Sequence, residues 1–337
     1  MIDLLVAGGG PAGLATAIFG ARAGLEVVVV ERRDGPVDKA CGEGLMPHAL
    51  ALLDSLGVDP PGKPFHGIAY VDGTHRVTGR FRGGAGRGVR RTALHAGLLK
   101  AAADAGVRIE NGDIGPVSQS ATSVYCSGFQ ARYLAAADGL HSPLRAALGL
   151  AKPSRGPRRW GIRRHHVMTP WSDCVEVYWA DAAEAYVTPV GDDCVGVAIL
   201  TSRKGGFDAH LAAFPALRER VRDAAHGPDR AAGPLHQRVR GRTAGRVLLV
   251  GDAAGYIDAL TGEGLGIAFG AAKLAVECVA ADQPQDYDRR WLRMSRRYRM
   301  LTAAVLRGTA SPLRPLIVPA AAQFPRVFGG VVNLLAE

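Results

Sequence analysis

Residues Gly8 to Gly13 read Gly-Gly-Gly-Pro-Ala-Gly, a GxGxxG spacing set between an apolar run, Ile2 to Val6, and an Ala-rich stretch, Leu14 to Ala23. Gly8 permits a tight turn, Gly10 lets the backbone approach a pyrophosphate, and Gly13 lets helix and strand pack, with Ala12 inside the same turn. The amides that open the following helix then face the anion. Glu31 ends the next β-branched run, Val27 to Val30, where a carboxylate can accept both hydroxyls of an adenosine ribose, and Arg32 follows it as a further candidate contact. These residues predict a bound dinucleotide, with NAD and FAD both open at this point. The plainer alternative is a glycine turn beside a solvated acid.

Other chemistries find no pattern. There is no HExxH, metal-spaced Cys/His set, GxSxG turn or Walker loop, and the adjacent His165 and His166 lack ligand spacing, so no metal site is expected. Cys41, Cys126, Cys174, Cys194 and Cys278 form no CxxC pair and are expected as reduced thiols. The net charge is +10, and all but six of the 41 basic residues are arginine. They are spread among acids without interleaved aromatics, which argues against nucleic acid as a partner and suits phosphorylated anions. Arg163, Arg164, His165 and His166 read as a solvated basic strand or as a docking point for the phosphate of NADH or NADPH.

The elements that must position these residues begin with a βαβ unit over the glycine turn, the start of a right-handed parallel sheet. The spacing predicts a strand pair between Phe65 and Phe81, a helix from Thr92 to Ala105, and strands near Val107–Ile109, Ser123–Ser127 and Tyr133–Ala137. A basic, Pro-containing stretch from Lys152 to Arg159 leads to antiparallel strands at Val175–Trp179, Ala185–Val190 and Cys194–Leu200. Arg246–Val250 returns to a buried parallel strand, so two domains are interleaved. One helix, Asp286 to Arg307, sets Tyr287, Trp291, Met294, Tyr298, Leu301 and Val305 on one face, either packed on the body or offered to a membrane or lipidic substrate. The 337 residues and 47% hydrophobic content suit two ordinary globular domains. No apolar stretch reaches the ~18 residues of a membrane span and no leader precedes the first strand, so a cytoplasmic protein is expected.

Two further segments carry a resemblance. Ala137 to Arg145, ADGLHSPLR, resembles the DGxxSxxR motif of flavin-dependent aromatic hydroxylases, and Arg246 to Gly255, RVLLVGDAAG, resembles the second, GD-type FAD motif of that superfamily. With the glycine turn, their order and spacing are similar to the para-hydroxybenzoate hydroxylase fold group. The resemblance implies an α/β fold: a Rossmann-like FAD-binding domain over 1–64, 89–152 and 241–285, an antiparallel-sheet substrate domain over 65–88 and 153–240, and a C-terminal helical segment over 286–337. It implies FAD contacts at Asp138 and Gly251, a hydrogen bond from Asp252 to the ribityl chain, and a helix opening around Gly262, Gly264, Leu265 and Gly266 whose positive end faces the flavin pyrimidine. Arg91, in Arg91-Thr92-Ala93-Leu94, resembles the cofactor-contacting arginine of the RxxL helix start.

Lys39 to Leu45, KACGEGL, together with Gly255 to Gly264, resembles the geranylgeranyl reductase branch, and similar wording occurs in short actinobacterial-type flavoprotein oxygenases of polyketide and phenolic-lipid secondary metabolism. The resemblance implies that Cys41 and Gly42 lie near the flavin, with Cys41 a proton donor, a substrate-positioning group or a small thiol packed beside the ring. Ala185-Tyr186-Val187-Thr188-Pro189 matches the aromatic strand facing the flavin, making Tyr186 a candidate catalytic residue and Tyr178 and Trp179 candidate lining. The tryptophan-containing motif of flavin halogenases is absent. A single dinucleotide fingerprint implies NADH or NADPH as a transient reductant. The leading expectation is an FAD-dependent monooxygenase hydroxylating an aromatic or polyketide-like small molecule through a flavin C4a-hydroperoxide; the alternative is a geranylgeranyl-reductase-like enzyme acting on isolated C=C bonds of a lipidic substrate.

Overall fold

Five strands lie parallel in the order Val247–Leu249, Phe129–Ala136, Ile2–Ala7, Val27–Glu31, Arg108–Asn111. This is the computed structural model of the protein, and it describes residues 1–154 and 158–336. The four consecutive valines of the second strand are all buried, as expected of a parallel strand covered on both faces. Helices Pro11–Arg22 and Gly264–Ala280 pack together against this sheet. The first begins with Pro11 where a missing N–H costs nothing, and the second is rich in small residues that permit close approach. Within the expected crossing from Lys152 to Arg159, residues 155–157 lie outside the described residues.

A second sheet of seven strands runs Arg230–Ala232, Trp160–Val167, Cys194–Thr201, Ala183–Pro189, Val175–Ala180, Gly67–Val71, Arg76–Arg80, antiparallel except where Val175–Ala180 meets Gly67–Val71. The expected solvated basic strand is corrected here: Arg163, Arg164, His165 and His166 are all buried. Alternation sends Arg163 and His165 to one face and Arg164 and His166 to the other. Arg163 pairs with Asp38, while Arg164 is bidentate to both Asp208 (2.7 and 3.1 Å) and Asp229 (2.7 and 3.1 Å) and stacks 4.3 Å over Phe207. Carboxylates therefore occupy these guanidinium groups, which leaves little to hold a nucleotide phosphate.

The C-terminal segment departs from the single expected helix. It divides at buried Ser295 into Asp286–Met294 and Arg296–Thr309, where the Ser295 hydroxyl and amide both donate to the Trp291 carbonyl at 2.9 Å. Tyr287 and Trp291 are buried, but Met294 on the same predicted face is exposed. Beyond, Arg314–Gln323 and Pro325–Ala336 meet at 106° and lie across the second sheet, with Val318 against Val177 and Trp179, and Phe328 and Val332 against Val77. Asn333 fastens the last helix to the sheet edge, accepting from the Arg82 amide (2.8 Å) and donating to the Arg80 carbonyl (2.9 Å). No single helix among the described residues is long and apolar enough to cross a membrane.

His166 has both ring nitrogens buried without a partner, and burial, with Arg164 and His226 nearby, pushes its pKa down to about 4. It is neutral in the fold, so the unfolded chain binds the extra proton below its own pKa of 6.5. Stability contributed by neutral His166 is present above pH 6.5 and is lost as pH falls toward 4, with a slope of up to about 1.4 kcal/mol per pH unit. Urea titrations from pH 7 to pH 4 are expected to show this loss, and His166→Phe should flatten it; an unchanged slope would contradict the assignment.

Candidate functional site

The glycine turn closes with steric economy. A Cβ on Gly13 would lie 1.8 Å from the Gly8 carbonyl oxygen, and Gly8 itself takes φ +107° against the Ala137–Asp138 backbone. At Gly10 a Cβ would meet nothing within 4 Å, leaving the approach to the helix open. Gly10 caps that helix without a side-chain partner, so its first-turn amides remain available to an anion. Glu31 accepts the Gly9 amide at 2.9 Å and the Arg33 amide and Nε at 3.1 Å each. Burial alone would raise its pKa, but these donors outweigh burial and hold it below the usual value. Arg33 makes this pair, whereas Arg32 is simply exposed. The turn is steadied from behind by His95: Nδ1 accepts the Val37 amide (3.0 Å), so Nε2 carries the hydrogen and donates to the Gly9 carbonyl (2.6 Å). Gly9, Glu31, Arg33 and His95 line a cavity of about 150 Å³.

The two other motif segments lock together. Asp138 accepts from the Ser142 hydroxyl (2.6 Å) and the Leu144 amide (3.0 Å), so its carboxylate is used to cap the short helix Pro143–Ala147. Buried Arg145 donates to the Ala253 carbonyl (3.1 Å), the Leu140 carbonyl (2.8 Å) and Gln237 Oε1 (2.8 Å), joining the DG segment to the GD segment. Gly251 needs its left-handed φ of +63°, and a Cβ there would strike Ala12 Cβ at 2.6 Å. Asp252 thus sits beside the start of the first helix. Its surface is open, yet the surrounding protein mass raises its pKa despite Arg91, Lys39 and Arg145.

Arg91 begins helix Arg91–Asp104, an electrostatically unfavourable place for a cation, and its Nε is buried without a partner. Its backbone amide donates to Glu43 Oε1 at 2.9 Å. Glu43 is buried, left-handed at φ +59°, and receives His165 Nε2 on Oε2 at 2.6 Å. This holds the Cys41–Gly42 loop: the Glu43 amide donates to Cys41 Sγ (3.4 Å), and Thr188 donates to the Gly42 carbonyl (2.8 Å). Burial pushes the Cys41 thiol up, so it stays protonated, with Arg91 and Tyr256 in its electrostatic neighbourhood. Helix Gly264–Ala280 opens beside Tyr256, whose ring would be 3.4 Å from a Cβ on Gly264, and its N-cap Glu263 uses no side-chain cap. Leu265 packs partly buried on the main core.

On the second sheet, Tyr186 and Trp179 share the face covered by the C-terminal helices, while Tyr178 turns to the opposite face and donates to Glu176 at 2.7 Å. The Tyr186 hydroxyl donates to the Leu260 carbonyl at 2.8 Å. Beneath it, Arg159 pairs with Glu184 and lies 3.4 Å from Asp258, whose carboxyl burial pushes up to about 6.

The residues fit FAD: the chain presents an open Gly10 cradle, a strand-end carboxylate, an unsatisfied Arg91 donor and uncapped helix amides. The sequence pattern of a family described as an FAD binding domain matches residues 1–70 and 116–281. This chain belongs to that FAD-binding family. It is 30% identical to the menaquinone reductase of Mycobacterium tuberculosis, with 86% of this chain and 78% of the relative aligned. It is 27% identical to digeranylgeranylglycerophospholipid reductase 1 of Methanothermobacter thermautotrophicus, over 83% of this chain and 77% of the relative. A 3-(3-hydroxy-phenyl)propionate/3-hydroxycinnamic acid hydroxylase of Mycobacterium avium is 32% identical over 44% of this chain and 31% of its own length. Among solved structures, a flavin-dependent brominase superposes with a TM-score of 0.85 at 17% identity, covering 99% of this chain and 93% of the other, a likeness of fold. This FAD-binding flavoprotein is an oxidoreductase.

Sequence reasoning missed Glu43, Lys39, Arg33, His95 and Tyr256. Glu43, Lys39 and Tyr256 lay inside quoted motifs, but their roles depend on partners far along the chain. Glu31→Ala is expected to lower FAD retention after desalting at least about tenfold, read by flavin absorbance per protein; full retention would dismiss the ribose assignment. Glu43→Ala leaves His165 Nε2 and the Arg91 amide without their acceptor in a buried site and should cost roughly 1–3 kcal/mol in chemical denaturation; a loss near zero would refute its structural role.

Proposed function

We propose that this flavoprotein is an FAD-dependent reductase of carbon–carbon double bonds in the isoprenoid chain of a lipid, with NADH or NADPH as transient reductant. The observation that carries this reading is the extent of likeness: the two reductases align over 83% and 86% of the chain, including the substrate sheet, and the hydroxylase over only 44%. Reduced FAD, when bound, supplies the hydride equivalent. The protein's own residues supply the rest. Gly10, Glu31 and the first-helix amides hold the dinucleotide end; Asp252, Arg91 and the helix opening at Gly264 orient the reactive end.

On the face carrying Tyr186 and Trp179, Leu200, Leu235, Leu260 and Val305 form an apolar part that suits an isoprenoid chain, with the Arg159, Glu184 and Asp258 charges paired beneath Tyr186. Hydride addition to one alkene carbon requires a proton on the other. Cys41 holds one in a thiol kept neutral by burial, Arg91 stabilises the thiolate left behind, and solvent restores it. Oxygenation of an aromatic substrate is the second reading, favoured by the hydroxylase match.

Anaerobic turnover of an isoprenoid quinone with NADH or NADPH separates the two. The expected product is heavier by two hydrogens under nitrogen. A product that needs air and gains one oxygen would overturn the reductase reading in favour of the second. Cys41→Ser should keep FAD bound and lower kcat by about 10²-fold, a typical contribution of a positioned acid; an unchanged kcat reduces Cys41 to packing.

A further inference from the structure

The face predicted to meet a membrane or lipid, that of Asp286–Arg307, is closed at its start, because Tyr287 and Trp291 are buried in the main core. The exposed apolar surface lies further on. Leu313, Leu316, Phe324 and Val327 are 64%, 57%, 61% and 66% exposed, and with exposed Ala320 they recur at spacings of three and four. They form the outer side of the bent segment whose inner side, Val318, Phe328 and Val332, is packed on the sheet. Outside the C-terminal segment, exposed large apolar residues are single and scattered, which is ordinary for a protein surface.

This outer side is held rigidly. Arg314 turns inward to pair with Glu184 at 2.7 Å and donates to the carbonyls of Ala180 (2.8 Å), Ala183 (2.9 Å) and Thr309 (3.2 Å). The apolar residues therefore project from a fixed platform. The segment itself carries charge of one sign: between Asp288 and Ala336 the sequence contains no acidic residue, and Arg293, Arg296, Arg307 and Arg326 are exposed, while exposed Asp181 lies in the hairpin turn that Arg314 contacts.

We propose that the bent segment is a membrane-docking surface that seats Leu313, Leu316, Phe324 and Val327 in the interfacial layer of an anionic lipid bilayer, with the surrounding arginines on the lipid headgroups. Bulky apolar groups on a polybasic segment that carries no acid of its own match a negatively charged interface in both respects. A second copy of the chain fits less well, because a two-fold interface would oppose arginine to arginine without acids to pair them. The proposal is independent of which reaction the flavin site performs.

The test is flotation of the FAD-loaded full chain with vesicles of phosphatidylglycerol and phosphatidylcholine in roughly equal parts, and with phosphatidylcholine alone. The protein should float with the anionic vesicles and much less with the neutral ones. Combining Leu313→Ser, Leu316→Ser, Phe324→Ser and Val327→Ser should reduce the vesicle-bound fraction at least about tenfold while flavin absorbance and melting temperature stay as in the parent. A second variant, Arg307→Glu with Arg326→Glu, should lose the preference for anionic vesicles. The proposal fails if the parent remains with the unbound protein, if either variant floats as the parent does, or if the parent is a dimer that the serine variant converts to monomer.

Discussion

Glu43 is one carboxylate shared by a helix and a sheet. It takes the amide that starts the Arg91 helix on one oxygen and the His165 ring of the antiparallel sheet on the other, while its own amide reaches back to Cys41. A buried carboxylate without such donors would be costly, and removing any donor leaves the charge uncompensated. The left-handed backbone at Glu43 is maintained by these bonds, since a non-glycine residue gains nothing from that conformation alone. The loop that carries Cys41 and Gly42, the start of the Arg91 helix and the antiparallel sheet are therefore positioned by a common point. The site is a property of their junction more than of either layer.

What the amino-acid pattern made legible is what local sterics control. The turn at Gly8–Gly13 and its contact with Glu31 follow from spacing within a single βαβ unit, because a strand and the helix after it can approach only where glycine removes Cβ. The strands of the second sheet follow from alternation and β-branched content. Burial of Arg163 to His166 did not, because four basic residues in a row look solvated until Asp38, Glu43, Asp208 and Asp229 arrive from elsewhere in the chain. The same limit hid which tyrosine meets the apolar side: Tyr178 and Tyr186 are both plausible in a strand, and only the pairing Val177 with Tyr186 fixes which face each takes. The break at Ser295 was hidden for a related reason. Helical spacing continues smoothly through it, and the backbone bonds from Ser295 to Trp291 and from Arg299 to Ser295 are both kept.

The C-terminal helices complete the second sheet. An antiparallel sheet commonly leaves one face to water, yet here that face carries Trp179, Tyr70 and Val177 and is roofed by Val318, Phe328 and Val332. Tyr70 bridges the two layers, its ring centroid 5.0 Å from Trp179 and 4.8 Å from Phe328. The apolar environment around Tyr186 is thus made by segments widely separated in the chain.

The pair between Arg314 and Glu184 has a consequence for the order of synthesis. Glu184 is buried in a strand, and Arg159, which precedes it, also pairs with it. Every strand of the sheet leaves the ribosome before Arg314 does. During that interval the carboxylate has only one of its two cations, and Asp258 competes for the same guanidinium. Glu184 becomes interior only when the roof covers its face, and the same roof brings Arg314, so burial of that carboxylate and its second pairing are one event.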